Sequence, residues 1–242
     1  MMHLTTEENN MSLEDQVKEL QQQVQELSHE VGRLQDANAV RHLQYKYGYY
    51  LDKCLYEEVV GLFAEDAEVR FMGGIYKGKE GVRRLYIGRF QTNFTGGVNG
   101  PIHGFLLDHP QLQMIVDVAP DGKTARMRGR SMMQAGRHDS TTAAETVPRQ
   151  WWEGGIYENQ YVKEDGVWKI KVLNYNPFWH ADYETGWAHT RPEYVPMASV
   201  TYPEDPAGPD ELIKPTPRLW PHTDVVPFHY PHPVTGKEWK GS

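Results

Sequence analysis

A tyrosine-rich stretch, residues 45–71, contains the side chains best suited to chemistry in this chain. Its sequence YKYGYYLDKCLYEEVVGLFAEDAEVRF predicts a helix with four tyrosines, a break near Asp52, a second helix and a strand. Phenolic hydroxyls and the carboxylate of Asp52, all on the first helix of this stretch, are suited to lining a pocket where protons move. The simpler role of Asp52 is to cap the helix that follows it, since aspartate is a common N-cap. The stretch predicts an acid–base enzyme.

Composition excludes several function classes. The 242 residues carry a formal net charge of −8, whereas a nucleic-acid-binding protein usually shows a basic patch. The single cysteine, Cys54, excludes an intramolecular disulfide and fits a reducing compartment. The sequence shows no secretory signal pattern and no run of about 20 apolar residues. We therefore expect a cytoplasmic protein with neither a membrane nor a nucleic acid as partner.

Metal and nucleotide sites are not predicted. The closest approaches to ligand spacing are His229 with His232, in a proline-rich region, and His103 with His109, and no HExxH or CxxC motif is present. The glycine-rich segment 96–104 lacks the Lys-Ser/Thr pair of a phosphate-binding loop. We expect no metal and no cofactor.

The N-terminal region carries a heptad pattern. Residues 1–10 are polar and predicted to be disordered, and residues 11–39 are predicted to form a coiled-coil helix. Valine occupies the a positions, leucine the d positions, and Asn38 the next a position, which favours a parallel two-stranded coil. The alternative is an amphipathic helix that lies on its own domain. We expect a homo-oligomer, either a dimer or a trimer.

The remaining chain divides into a domain and an arm. Residues 40–187 read as helices followed by long strands with turns at Pro120-Asp121-Gly122 and Glu164-Asp165-Gly166, which predicts an α+β fold with a curved antiparallel sheet. Residues 188–242 hold eleven of the 16 prolines, together with several aromatic residues. This composition predicts an extended arm laid on the domain or on a neighbouring subunit.

The order of these motifs resembles the SnoaL-like branch of the nuclear transport factor 2 (NTF2)-like superfamily. The resemblance rests on the stretch 45–71, on YKG at residues 76–78, on IHG at residues 102–104, and on EDGVWK at residues 164–169. It implies a cone-shaped α+β barrel with a ligand cavity between the helices and the sheet. The enzymes of this kind include scytalone-type and bile-acid dehydratases and polyketide cyclases, which work without a cofactor.

The resemblance also implies a catalytic set. The tyrosine, aspartate and histidine of such dehydratases map to Tyr47, Asp52 and His103, and Tyr50 lies about one turn beyond Tyr47. Asp52 would orient and charge His103. The alternative is a structural His103 bonded to a loop carbonyl. The acid of bile-acid-type dehydratases has no counterpart in residues 124–133. Further binding candidates are Phe71, Arg128, Trp152, Tyr157, Trp179 and His180, and the aromatic ones are individually more typical of a core.

These expectations favour a cofactor-independent lyase for a hydroxylated aromatic compound. The most specific hypothesis, by resemblance to lignin-derived diarylpropane formaldehyde lyases, is loss of water and formaldehyde through a quinone methide. One alternative is a dehydratase or isomerase of a polycyclic hydroxy compound. The other is a non-catalytic ligand-binding or assembly domain.

Overall fold

One long helix begins the ordered chain. The computed structural model describes residues 11–141, 149–190, 197–215 and 218–240, so the predicted disorder of residues 1–10 lies outside the described residues. Helix α1 runs over Leu13–Asp52 and starts at Ser12, whose side chain accepts a hydrogen bond from the backbone N–H of Asp15. Within the described ranges, no helix is both long and apolar enough to cross a membrane.

Shorter helical segments follow. Helix α2 spans Tyr56–Gly61, and a second helical region consists of α3 (Gly78–Arg83), a π-helical segment (Arg84–Gln91) and α4 (Thr92–Thr95). The sequence predicts one continuous helix over residues 79–94, and the structure differs by widening its centre into π geometry. This geometry is frequent at functional sites. Here it contains Tyr86 and Phe90, which are both buried.

Eight strands form one curved sheet. They are β1 (Phe63–Phe71), β2 (Gly74–Lys77), β3 (Phe105–Asp108), β4 (Gln111–Val118), β5 (Thr124–Arg137), β6 (Gln150–Glu164), β7 (Val167–Asp182) and β8 (Glu211–Leu212). The spatial order is β3-β5-β6-β7-β1-β2-β8, and β4 also pairs with β5. The long strand β5 therefore bridges two short strands, because β3 pairs with its end and β4 with its beginning.

The predicted α+β fold is confirmed, with one correction to the sheet. Strand β1 pairs with β7 in parallel, whereas all the other pairs among the described strands are antiparallel, so the sheet is mixed. The second half of α1 packs against the concave face, where Val40, Leu43 and Tyr47 are buried. Strand β8 belongs to the C-terminal arm and extends the edge at β2.

Candidate functional site

A partly open cavity of about 300 Å³ lies between helix α1 and the concave face of the sheet. Its wall is mostly aromatic and sulfur-containing, which suits a flat apolar ligand. Two imidazoles and one carboxyl group also line it: His109, His180 and Glu153. The aromatic part of the wall consists of Tyr47, Tyr56, Phe71, Phe90, Phe94, Phe105, Trp151 and Tyr157.

Glu153 is the acid of this cavity. It lies on β6, is only 3% exposed, and accepts a hydrogen bond of 2.6 Å from the Tyr175 hydroxyl. Burial raises the pKa of Glu153 to about 7, and the hydrogen bond from Tyr175 partly opposes that rise. The carboxyl group therefore holds its proton for part of the time near neutral pH, as a general acid must.

Two glycines next to Glu153 make room for its surroundings. A Cβ atom on Gly155 would lie 2.3 Å from the ring of Tyr175, so only glycine lets that ring lie across the strand. A Cβ atom on Gly154 would meet the ring of Trp179 at 2.0 Å. Gly155 thus leaves room for the ring of Tyr175, whose hydroxyl donates the hydrogen bond to Glu153.

His109 is the buried histidine of the cavity. It follows β3 and is 5% exposed, and its Nε2 lies 3.3 Å from the Tyr157 hydroxyl. Its backbone N–H donates a 2.7 Å hydrogen bond to Oδ1 of Asp52. Burial lowers the pKa of His109 to about 4, so the imidazole is neutral at neutral pH. Its Nδ1 is buried and has no hydrogen-bond partner among the described residues.

Buried tyrosines supply hydroxyl groups around the same space. The hydroxyl of Tyr47 lies 2.9 Å from that of Tyr86, and the ring of Tyr47 meets the ring of Tyr157 edge-on. Burial raises the pKa of Tyr47 to about 12, which keeps the phenol protonated. Such neutral hydroxyls can donate hydrogen bonds to a substrate oxygen.

Four of the predicted site residues line this cavity. They are Tyr47, Phe71, Tyr157 and His180. Burial lowers the pKa of His180, which favours the neutral imidazole, and Asp182 opposes that shift. Tyr50 is half-buried and packs against the core, but it is not part of the cavity lining.

The predicted Asp52–His103 pair is not brought together. His103 is exposed, and its Nε2 lies 3.2 Å from the Ser140 hydroxyl. Asp52 instead accepts the backbone N–H of His109. Burial raises the pKa of Asp52, and that hydrogen bond opposes the rise. Asp52 therefore contacts His109, six residues beyond the predicted His103. It accepts a hydrogen bond from the backbone N–H of His109 and not from its imidazole.

Three other predicted binding residues lie outside the cavity. Arg128 pairs with Glu158 at 2.7 Å and donates hydrogen bonds to two carbonyl groups of the arm. Trp152 stacks on Tyr183, with 5.4 Å between ring centroids. Trp179 packs against a second tryptophan, Trp187, and both line an outer groove beneath the arm. Arg128 and Trp152 are each next to an inward-facing position, so strand alternation turns them outward.

Glu153 and His109 are buried residues of the cavity wall and candidate functional residues that the sequence did not predict. A signal for Glu153 exists, because it lies four residues before Tyr157 in a predicted strand and must share its face. The burial of His109 depends on a loop that no local pattern specifies. In the ranges that the structure describes, no cluster of three or more His, Cys, Asp or Glu side chains could hold a metal ion.

Comparison with known proteins agrees with this architecture. The model of the SnoaL-like domain matches residues 32–174. A putative scytalone dehydratase from Novosphingobium aromaticivorans is 22% identical, with a TM-score of 0.50, over 70% of this chain and 97% of its own. LinA is 19% identical, with a TM-score of 0.51, over 68% of this chain and 99% of its own. No curated protein sequence matches the chain. At these identities the solved structures establish the fold alone.

Proposed function

The chain belongs to the SnoaL-like family, and we propose that it is a lyase that acts by acid–base chemistry on a hydroxylated aromatic compound. The observation that carries this proposal is Glu153, a carboxyl group buried in an aromatic cavity with its pKa raised to about 7. Burial of a carboxyl group costs stability, and strongly perturbed pKa values cluster at functional sites. His109 supplies a neutral base at the same cavity.

The cavity favours a flat substrate of modest size. Its volume of about 300 Å³ is at the small end of ligand pockets, and aromatic rings form most of its wall. The hydroxyl groups of Tyr47 and Tyr157 are suited to hold a phenolic oxygen. A phenol with a hydroxylated side chain matches both the apolar wall and these few polar groups.

The first step is loss of water. His109 takes the proton of a para-hydroxyl group, and Glu153 gives its proton to a benzylic hydroxyl, which leaves as water. The electron pair of the phenolate moves through the ring as the C–O bond breaks, and a quinone methide forms. The substrate itself accepts these electrons, so the step requires no redox partner.

The second step determines the product. In a diarylpropane diol, the Glu153 carboxylate takes the proton of the terminal hydroxymethyl group, and the C–C bond breaks to release formaldehyde. The electron pair of that bond forms the C=C bond of the stilbene, the ring electrons return to the oxygen as a phenolate, and the phenolate recovers its proton from His109. The products are one stilbene, one water and one formaldehyde, and both side chains return to their starting states. This is the lignin-derived branch of the proposal. If the quinone methide loses only a carbon-bound proton, the enzyme is a dehydratase.

A pair of substrates tests this mechanism. The protein is incubated with a diarylpropane diol that carries a free para-hydroxyl group, and separately with its para-methyl ether, and formaldehyde and stilbene are quantified. We expect equal amounts of both products from the phenol and none from the ether, because the ether cannot form the quinone methide. Equal turnover of the two compounds would contradict the mechanism, and an alkene without formaldehyde would identify the dehydratase.

A further inference from the structure

Helix α1 exposes a continuous apolar stripe over its first half. The stripe alternates steps of four and three residues, and each member is at least 46% exposed. We call the following residues the coil stripe: Leu13, Val17, Leu20, Val24, Leu27, Val31 and Leu34. Large apolar side chains that are scattered singly are normal on surfaces, but seven in a heptad register form one contiguous patch.

The domain does not cover this stripe. Residues 11–31 are all exposed, and burial of α1 becomes continuous with the domain only near Val40. Asp36 connects the helix to the domain, because its carboxylate accepts hydrogen bonds from Lys163 at 2.7 Å and from the Trp168 indole at 2.8 Å. The part of the helix before it extends by about 33 Å, at 1.5 Å per residue.

We propose that the coil stripe pairs with the same stripe of a second copy of this chain, as a parallel two-stranded coiled coil. Valine at a and leucine at d favour two strands in parallel. The flanking positions from Gln21 to Gln35 contain one charged residue, Glu30, which in a parallel pair faces Gln35 of the other copy, so no like charges are opposed there. In a parallel, in-register pair, Asn38 of one copy faces Asn38 of the other, and one polar a position of this kind fixes register.

The exposure of these apolar side chains to water favours a partner for the coil stripe. Burial of apolar surface is the dominant favourable contribution to protein association, and the coil stripe leaves seven valine and leucine side chains exposed. Most of the stability of protein helices comes from packing of an apolar face, which the domain does not provide here. An identical helix has the matching 3.5-residue repeat.

The helix that carries the coil stripe also forms part of the cavity wall. Helix α1 is continuous from the coil stripe to Asp52, and it carries Tyr47 in the cavity wall. The helix that joins two copies is therefore the one that closes one side of each active site. Each copy keeps its own complete set of cavity residues.

Light scattering coupled to size-exclusion chromatography tests the pairing. We expect the full chain to show twice its 27.9 kDa mass and the Leu20→Asp/Leu27→Asp variant to show that mass once. The matched control, Gln22→Asp/His29→Asp, changes two positions on the opposite side of the helix and stays a dimer. A full-chain monomer, or a leucine variant that keeps the dimer mass, would overturn the proposal. A threefold mass would overturn the two-stranded arrangement.

Cross-linking tests the orientation independently. In a parallel pair, Val17→Cys places two thiols across from each other at a distance that a disulfide can span. In an antiparallel pair of the same stripe, these positions lie about 20 Å apart, at 1.5 Å per residue. The natural Cys54 is 2% exposed and does not compete. We expect a covalent dimer from Val17→Cys on mild oxidation and none from Gln22→Cys. Absence of the Val17→Cys dimer would exclude the parallel arrangement.

Discussion

Replacement of Gly155 by alanine should raise the pKa of the Glu153 carboxyl group without changing Glu153 itself. The new Cβ would lie 2.3–2.5 Å from three atoms of the Tyr175 side chain, closer than real contacts allow. Tyr175 is 4% exposed and stacks on Phe71, so its ring has little space to retreat into. Its hydroxyl must then leave Glu153, and the hydrogen bond of 2.6 Å is lost.

The magnitude of the Gly155→Ala effect follows from these contacts. Overpacking of a core costs about 2 kcal/mol, and loss of the hydrogen bond about 1 kcal/mol more. A decrease of about 3 kcal/mol lowers the Tm of a chain of this size by roughly 6–12 °C. The pKa of Glu153 rises further, because the hydrogen bond from Tyr175 normally lowers it. Since Glu153 must be protonated to act, the alkaline limb of the pH–rate profile should move upward by about one pH unit.

The neighbouring glycine provides a matched control. In Gly154→Ala, the new Cβ meets Trp179, which lies outside the cavity and packs against Trp187. This variant should lose stability in thermal unfolding followed by circular dichroism, yet keep the wild-type pH–rate profile. An unchanged Tm and profile in Gly155→Ala would refute the steric reasoning. An equal displacement of the profile in both variants would refute the specific role of Tyr175.

Three further predictions concern other parts of the account. Asp52→Asn should keep most of the turnover, because an amide oxygen still accepts the His109 backbone N–H, whereas Asp52→Ala should lower kcat about tenfold, measured with a saturating phenolic substrate. Between pH 4.5 and pH 8, the difference in unfolding free energy between Glu153→Gln and the wild type should change by about 3 kcal/mol in favour of the variant, measured by denaturant titration. In the wild type, the pKa of Glu153 is raised by folding from 4.5 to about 7, so its contribution is lost as pH rises through that window. Arg128→Met should leave kcat unchanged but make the C-terminal arm sensitive to limited proteolysis, because its pairing with Glu158 and with the arm is lost.

The sequence predicts much of the fold because local patterns repeat over long segments. The heptads, the strand hairpins and their turns identify α1 and the antiparallel part of the sheet. The parallel pairing of β1 with β7 joins segments about 100 residues apart, as in the pair Val69 and Leu173, and no local pattern encodes it. The π-helical segment likewise depends on packing rather than on spacing.

The site is less predictable, for two physical reasons. Strand alternation is local, so the inward position of Glu153 follows from that of Tyr157, and Trp152 could not share their face. The same rule turns Arg128 outward. The contact between Asp52 and His109 uses a backbone N–H, which nearly every residue possesses, so side-chain types alone do not identify the partner.

The most direct test of the central claim compares turnover in Glu153→Gln and His103→Ala with a para-hydroxylated diarylpropane diol. Glu153, the proposed proton donor, lies in the cavity wall, whereas His103 is exposed on the surface. We predict that formaldehyde release falls at least a hundredfold in Glu153→Gln, since general acid catalysis contributes about 10²–10⁴ in rate. His103→Ala should retain wild-type turnover. Full activity in Glu153→Gln together with loss of activity in His103→Ala would contradict the account.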